Sequence, residues 1–281
     1  MSGLQQRRIL AMRRIANELT RAESGGRVSE RDLYQFGVLT GGGLKAWLET
    51  MPLLNVSFDG HVWGFDSFQG MPDEDKSLMR NMHKNDNQWA QGGLNASRIL
   101  RAPNWPTLRH TLVRNIGYEH HKTHLVRGFY NESLRGGITL ARRHGMRPAF
   151  LIDIDCDLYT STKQALTFML STGLLVPGTY VYYDDYSLKH WSYPASKYPF
   201  KEERLAHEEV TNEYGLSWKL MYHYGEKYPG PLRQLDWIPQ WPAADAGRKV
   251  LTKETVNPVL QLTGCKRCSL LNTSTARTEP P

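Results

Sequence analysis

Between Phe150 and Tyr186 the chain sets carboxylates at the ends of two apolar runs, and that arrangement narrows the folds open to it. Phe150-Leu151-Ile152 leads into alternating acids at Asp153, Asp155 and Asp157, followed by Tyr159-Thr160-Ser161-Thr162. A helical pattern comes next, then Pro177-Gly178, then Tyr180-Val181-Tyr182-Tyr183 ending in Asp184-Asp185-Tyr186. Strands buried on both faces read as continuous apolar runs, and a strand-helix-strand crossover makes its two strands parallel. In open α/β sheets ligands bind beyond the carboxyl ends of the strands. The two acidic clusters are therefore expected to meet at one edge of the sheet.

Five carboxylates at one edge repel each other and resist desolvation unless something positive lies among them. Oxygen-only ligands suit a hard cation such as Mg²⁺, which takes one or two carboxylates, keeps several waters and accepts substrate oxygens. Helix capping is an equal account of Asp157 and Ser161, but capping needs one acid and leaves the rest unexplained.

The 281 residues suffice for one large α/β domain or two small ones, and 40% hydrophobic with 22% charged residues suits a globular chain. No apolar run approaches the roughly 18 residues of a membrane span, and the N-terminal residues lack an apolar signal core. Three cysteines, one of them Cys156 inside the acidic motif, fit a reducing, cytoplasmic compartment. The net charge of +7 comes partly from the N-terminal arginines and the C-terminal residues. Without a reading motif it implies solubility or weak steering of an anionic ligand rather than nucleic-acid binding.

Leu4 to Arg21 has the pattern of an amphipathic helix, with Ile9, Met12, Ala16 and Leu19 on one face and Arg7, Arg8, Arg13 and Arg14 largely off it. It is expected to pack on the domain and offers a self-association surface; an organelle-targeting segment is the alternative. Leu33 to Val38 reads as the first core strand, and Thr40-Gly41-Gly42-Gly43 turns into a helix from Leu44 to Met51. Such a turn lets a ligand approach the backbone and the free N–H groups of a helix start, although it is neither a dinucleotide fingerprint nor a P-loop. The next strand, His61 to Phe65, ends in Asp66, where α/β nucleotide sites hold ribose hydroxyls and where a turn acid is also ordinary.

Asp73 to Pro106 is polar and irregular, a candidate cover over the site. Thr123 to Phe129 reads as a third strand, and His120, His121 and His124 as solvated loop histidines rather than metal ligands. A helix is expected from Leu134 to His144. The loop after Tyr186 carries Trp191, Tyr193 and Tyr198, and a helix from Lys201 to Tyr214 presents its acids and Arg204 as a solvated face. Trp218 to Tyr222 and Leu235 to Ile238 are a candidate terminal antiparallel strand pair. Composition from Pro242 onward predicts a mobile tail, and the lone Cys265-Lys266-Arg267-Cys268 lacks the ligands zinc needs. The expected organisation is thus an N-terminal helix over 1–26, one domain over 27–241 and a tail over 242–281.

Several blocks, in order, carry a resemblance: Tyr34-Gln35-Phe36-Gly37-Val38, Gly64-Phe65-Asp66-Ser67-Phe68-Gln69-Gly70-Met71-Pro72, Asp155-Cys156-Asp157-Leu158-Tyr159-Thr160-Ser161-Thr162, and Pro177-Gly178 with Asp184-Asp185-Tyr186. The chain resembles the macrocin O-methyltransferase (TylF/MycF-like) family over roughly residues 30 to 215. The resemblance implies the α/β class I methyltransferase fold, Rossmann-like, with a mostly parallel central sheet and helices on both faces. It also implies S-adenosylmethionine (SAM) as methyl donor, Mg²⁺ as cofactor, and a small-molecule hydroxyl acceptor such as a sugar or natural-product glycoside. Carried across by motif, Gly37, Thr40, Gly41, Asp66, Ser67, Phe129 and Asp153 are implied to bind SAM, with Asp66 at the ribose. Asp155, Asp184 and Asp185 are implied metal ligands, and Asp155 also the general base. Two departures stand out: the family usually has Glu where this chain has Gln35, and its motif does not require Asp153.

The chemistry agrees with that implication. A sugar hydroxyl is too weak an acid to ionise at neutral pH, so a divalent cation that lowers its pKa and a carboxylate that takes its proton are both useful. A different metal-dependent enzyme on the same fold, or a protein that binds SAM without catalysis, are the competing readings.

Overall fold

The computed structural model describes residues 3–21, 27–28, 30–79, 86–186, 202–222 and 259–265. Asp32–Phe36 (β1), Val62–Asp66 (β2), Thr123–Arg127 (β3), Ala149–Ile154 (β4), Tyr180–Tyr183 (β5), Leu216–Tyr222 (β6) and Val259–Cys265 (β7) form one sheet, ordered β3-β2-β1-β4-β5-β7-β6. Strands β1 to β5 all run parallel. The helices that cover them include Gly3–Arg21 (α1), Gly42–Leu53 (α2), Trp105–Ile116 (α3), Gly137–His144 (α4), Tyr159–Ser171 (α5) and Glu202–Tyr214 (α6).

Both faces of the sheet are apolar, as continuous hydrophobic runs require. Along β5 the side chains alternate: Val181 and Tyr183 join Leu166, Met169 and Val210 in one core, while Tyr180 and Tyr182 join Met12, Trp47 and Leu112 in the other. All six residues of β4 are buried. Strand order reverses beside β1, since the chain runs outward from β1 through β2 to β3 and then returns to β4 on the other side of β1. The carboxyl ends of β1 and β4 therefore flank the crevice where open α/β sheets bind ligands.

Several expectations are corrected. The helix expected from Leu134 starts only at Gly137, whose φ is +48°, and a separate short helix, Tyr130–Ser133, precedes it. Of the acids of α6 only Glu209 and Glu213 reach solvent; Glu202, Glu203 and Glu208, with Arg204 and His207, are buried, because the helix packs under Tyr183, Tyr186 and Trp218. His124 is no solvated loop residue, for it stacks on Trp63 at 4.0 Å and shares a 2.8 Å hydrogen bond with His61. Strand β6 pairs antiparallel with β7, which in turn pairs antiparallel with β5; β7 comes from the stretch whose composition predicts a tail. Trp191, Tyr193, Tyr198, Leu235–Ile238 and Cys268 lie outside the described residues. Among those described, no helix is long and apolar enough to cross a membrane.

Candidate active site

The ends of β1, β2, β4 and β5 are tied into one rim. Gly37 N–H donates to Phe65 O (2.9 Å), Asp155 N–H to Phe36 O (2.8 Å) and Asp184 N–H to Ile154 O (2.9 Å). Gly37 has φ +91°, and a Cβ placed on it would lie 1.8 Å from the carbonyl oxygen of Asp155. Only glycine lets the first turn pass that close to the acid-bearing strand.

Asp66, at the end of β2, faces the same turn. Its Oδ2 accepts from the amides of Val38 (2.8 Å) and Leu39 (2.9 Å), and its Oδ1 from that of Phe68 (2.6 Å). Burial raises its pKa, against the pull of those amides. The acid expected at a ribose thus also shapes the glycine turn.

The positive charge required among the carboxylates comes from α1. Arg8, 1% exposed, donates from Nε to Asp153 Oδ2 (3.0 Å) and from Nη2 to Asp153 Oδ1 (3.3 Å) and Asp155 Oδ2 (2.7 Å). Its Nη1 donates to Asp184 Oδ1 (3.3 Å), which also accepts from Tyr182 OH (3.1 Å). Burial works against the charge on Arg8, but Asp153, Asp155 and Asp184 outweigh it and hold the guanidinium firmly protonated. The reading that put Arg8 off the buried face of α1 is corrected. Arg8, Met12, Ile15 and Leu19 are spaced as one helical stripe, and that stripe faces the sheet edge.

Arg8, with Arg7 at the cavity wall acting on Asp184, does not balance the cluster. Burial, and then the charge of Asp184, push the Asp155 carboxyl well above its ordinary range. Burial and Asp185 do the same to Asp157. Asp184 is raised by burial in spite of Arg8, with Asp185 and Asp153 adding to the shift. The buried Glu203 of α6 is raised by its burial and by Asp185, Asp157 and Asp155. As they stand, no group of three or more His, Cys, Asp or Glu side chains among the described residues is arranged to hold a metal ion.

A cavity of about 700 Å³ opens at this rim, within the range of small-molecule sites. Gly37, Asp66, Ser67 and Phe129 line it on the glycine-turn side, and Asp155, Asp184 and Asp185 on the acidic side. Thr40 and Gly41 are not in its wall; Gly41 caps α2 with φ +86°, and Thr40 O accepts from Asn115. Nor is Asp153, which is fully buried and accepts from Arg8, Trp47 Nε1 (2.8 Å) and Gln35 Nε2 (3.0 Å). The departures at Gln35 and Asp153 belong together. A glutamate in place of Gln35 would set a second carboxylate against Asp153, whereas the amide supplies a donor.

Asp157 does not cap α5. It lines the cavity with φ +62°, and its Oδ1 accepts from Trp89 Nε1 at 3.2 Å. The first turn of α5 is served instead by Glu74 from the loop after β2, which accepts from Thr160 N (2.8 Å) and Thr160 Oγ1 (2.9 Å). Asp73 to Pro106 therefore does reach over the site, through Trp89 and Glu74. Nothing in the local sequence marks these two, since their partners lie 68 and 86 residues away.

A parallel sheet that reverses at a glycine turn, with an acid on the neighbouring strand end and a cavity over both, is the frame of a class I methyltransferase. The chain belongs to the macrocin O-methyltransferase (TylF) family, whose sequence model matches residues 3–218. No curated protein matches the chain significantly. Among solved structures, the O-methyltransferase NovP overlays with a TM-score of 0.48 at 19% identity, over 74% of this chain and 72% of that one. The calicheamicin methyltransferase CalS11 overlays with a TM-score of 0.47 at 18% identity, over 91% and 79%. Likeness that faint carries no detail of substrate or mechanism to this chain.

Proposed function

We propose that the chain transfers the methyl group of SAM to a hydroxyl of a small molecule, a sugar or natural-product glycoside, with Mg²⁺ assisting. The observation that carries this reading is that one cavity gathers Gly37, Asp66, Asp155, Asp184 and Asp185, in a chain of the macrocin O-methyltransferase family. SAM would lie against Gly37, Ser67 and Phe129, with Asp66 at its ribose; it supplies an electrophilic methyl on a sulfonium. The low cysteine count supports a reducing, cytoplasmic setting for the reaction.

The donor set suits a hard dication. Its members are oxygens only, they face the cavity, and burial with mutual repulsion leaves them short of positive charge. Beside Arg8, which engages Asp155 Oδ2 and Asp184 Oδ1, Asp155, Asp184 and Asp185 are the residues that would hold such a cation. When bound there, it would polarise the acceptor hydroxyl and lower its pKa.

The chain's own residues do the rest. Arg8 holds the Asp155 carboxylate in place through Oδ2, and Asp155 would act as the general base for the hydroxyl proton. Trp89 and Met71 line the cavity and help to keep water from the reacting centre. Aligning the hydroxyl with the methyl group is then chiefly a matter of positioning. The test is transfer of labelled methyl from SAM to a panel of glycosides, with and without Mg²⁺. Label should appear on a hydroxyl oxygen; label on nitrogen or carbon, or none at all, contradicts the proposal.

A further inference from the structure

The two acid-bearing loops follow β4 and β5, whose ends are tied by Asp184 N–H to Ile154 O and bridged by Arg8 between Asp155 and Asp184. One carboxylate on α6 holds the backbone of both loops as well. Glu203 accepts the backbone N–H of Asp157 on Oε1 (3.3 Å) and that of Asp185 on Oε2 (3.0 Å). It is fully buried and is not part of the cavity wall. It lies in the first turn of α6, which packs along α5, the helix that follows the first acidic loop.

We propose that Glu203 is a positioning residue for methyl transfer: its two oxygens set the separation and orientation of Asp157 and Asp185, and through them the shape of the acidic wall. This rests on the methyltransferase reading above. A carboxylate suits the task because both of its oxygens are acceptors and each meets a donor. The Asp157 amide belongs to a residue at φ +62°, a conformation that a non-glycine residue keeps only when neighbours hold it. Trp89 holds its side chain; Glu203 holds its backbone. Neither contact involves the glycine turn or Asp66, so the SAM side of the cavity does not depend on it.

The test is Glu203→Gln, which keeps the volume but turns an NH₂ toward one of the two amides, with Glu203→Asp, too short to span both, as a second variant. Amide resonances of Asp157 and Asp185 in ¹⁵N-labelled protein should move upfield while the remaining spectrum and the SAM affinity hold. Turnover should fall about 10- to 100-fold with acceptor KM little changed, the effect of misplaced rather than missing groups. Unmoved amide resonances, turnover within threefold of wild type, or SAM affinity falling in step with turnover would each overturn the proposal. If the wild-type protein transfers no methyl group, the functional reading fails, and the amide shifts still decide whether Glu203 holds the two loops.

Discussion

Arg8 Nη2 lies 2.7 Å from Asp155 Oδ2, across 147 residues of sequence. The same side chain reaches Asp153 and Asp184 and lies over the ring of Tyr182 at 5.2 Å. The N-terminal helix is therefore a component of the acidic edge. Removing one partner of a buried ion pair costs about 3–5 kcal/mol because the other charge is left unpaired. Arg8→Met is expected to lose stability on that scale in urea unfolding, and Arg8→Lys less, since an ammonium replaces the fork with one point charge. Equal midpoints for wild type and Arg8→Met would mean that α1 does not hold the edge together.

Gly37→Ala tests the closeness of β1 and β4. A methyl group 1.8 Å from Asp155 O cannot be accommodated without moving the acidic strand end. SAM affinity and methyl transfer should both fall by at least about tenfold, which corresponds to only about 1.4 kcal/mol. Calorimetric titration of the variant checks this; SAM affinity equal to wild type would show that the turn has room.

Asp184→Ala separates donor binding from chemistry. The side chain lines the cavity and has Arg8 and Tyr182, not Gly37 or Asp66, among its hydrogen-bond partners. Methyl transfer should drop by about a hundredfold or more, in line with loss of an electrostatic element of a reaction site, while SAM still binds. Removing divalent ions with a chelator should have a similar effect on the wild-type protein and a small one on the variant. Full turnover in metal-free buffer would remove Mg²⁺ from the proposal.

How far the sequence disclosed this site depends on how local each signal is. The acid-tipped strands were legible because an apolar run followed by alternating acids is a contiguous pattern, and the structure does bring Asp155 and Asp184 onto one cation. Asp66 and Gly37 were legible from their places at strand ends. Arg8 was missed although its spacing to Met12 and Ile15 marks the buried stripe, because a lone arginine on an apolar face reads as solvated until a partner is known. The acids of α6 were misread for the same reason: their partners, Asp157 N, Asp185 N and Tyr186 OH, are set by tertiary packing. Thr40, Gly41 and Asp153 followed from motif proximity, which cannot tell a cavity wall from the layer behind it.

The buried pair on α6 predicts a pH dependence of stability with two opposed limbs. His207, bonded to Tyr183 OH at 2.9 Å, is pushed down from 6.5 to about 3, by burial first and then by Arg204. Below pH 6.5 the unfolded chain binds a proton that the folded chain refuses, so stability falls as pH drops from about 6.5 toward 3. Glu208 is pushed up from 4.5 to about 7 by burial. Between those values the folded chain keeps a proton that the unfolded chain has lost, so stability falls as pH rises through that window. The two contributions oppose each other between 4.5 and 6.5, so urea unfolding at several pH values should show the limb below 4.5 shallower in His207→Gln and the limb above 6.5 shallower in Glu208→Gln. Slopes unchanged by either substitution would mean that these groups titrate alike in both states.

The most direct measurement is calorimetric titration of the protein with SAM, in metal-free buffer and then with Mg²⁺, on wild type and on Asp184→Ala. The account predicts saturable SAM binding to both proteins without metal, followed by a Mg²⁺ binding event seen in wild type and lost in the variant. Absence of SAM binding to the wild-type protein under either condition would contradict it.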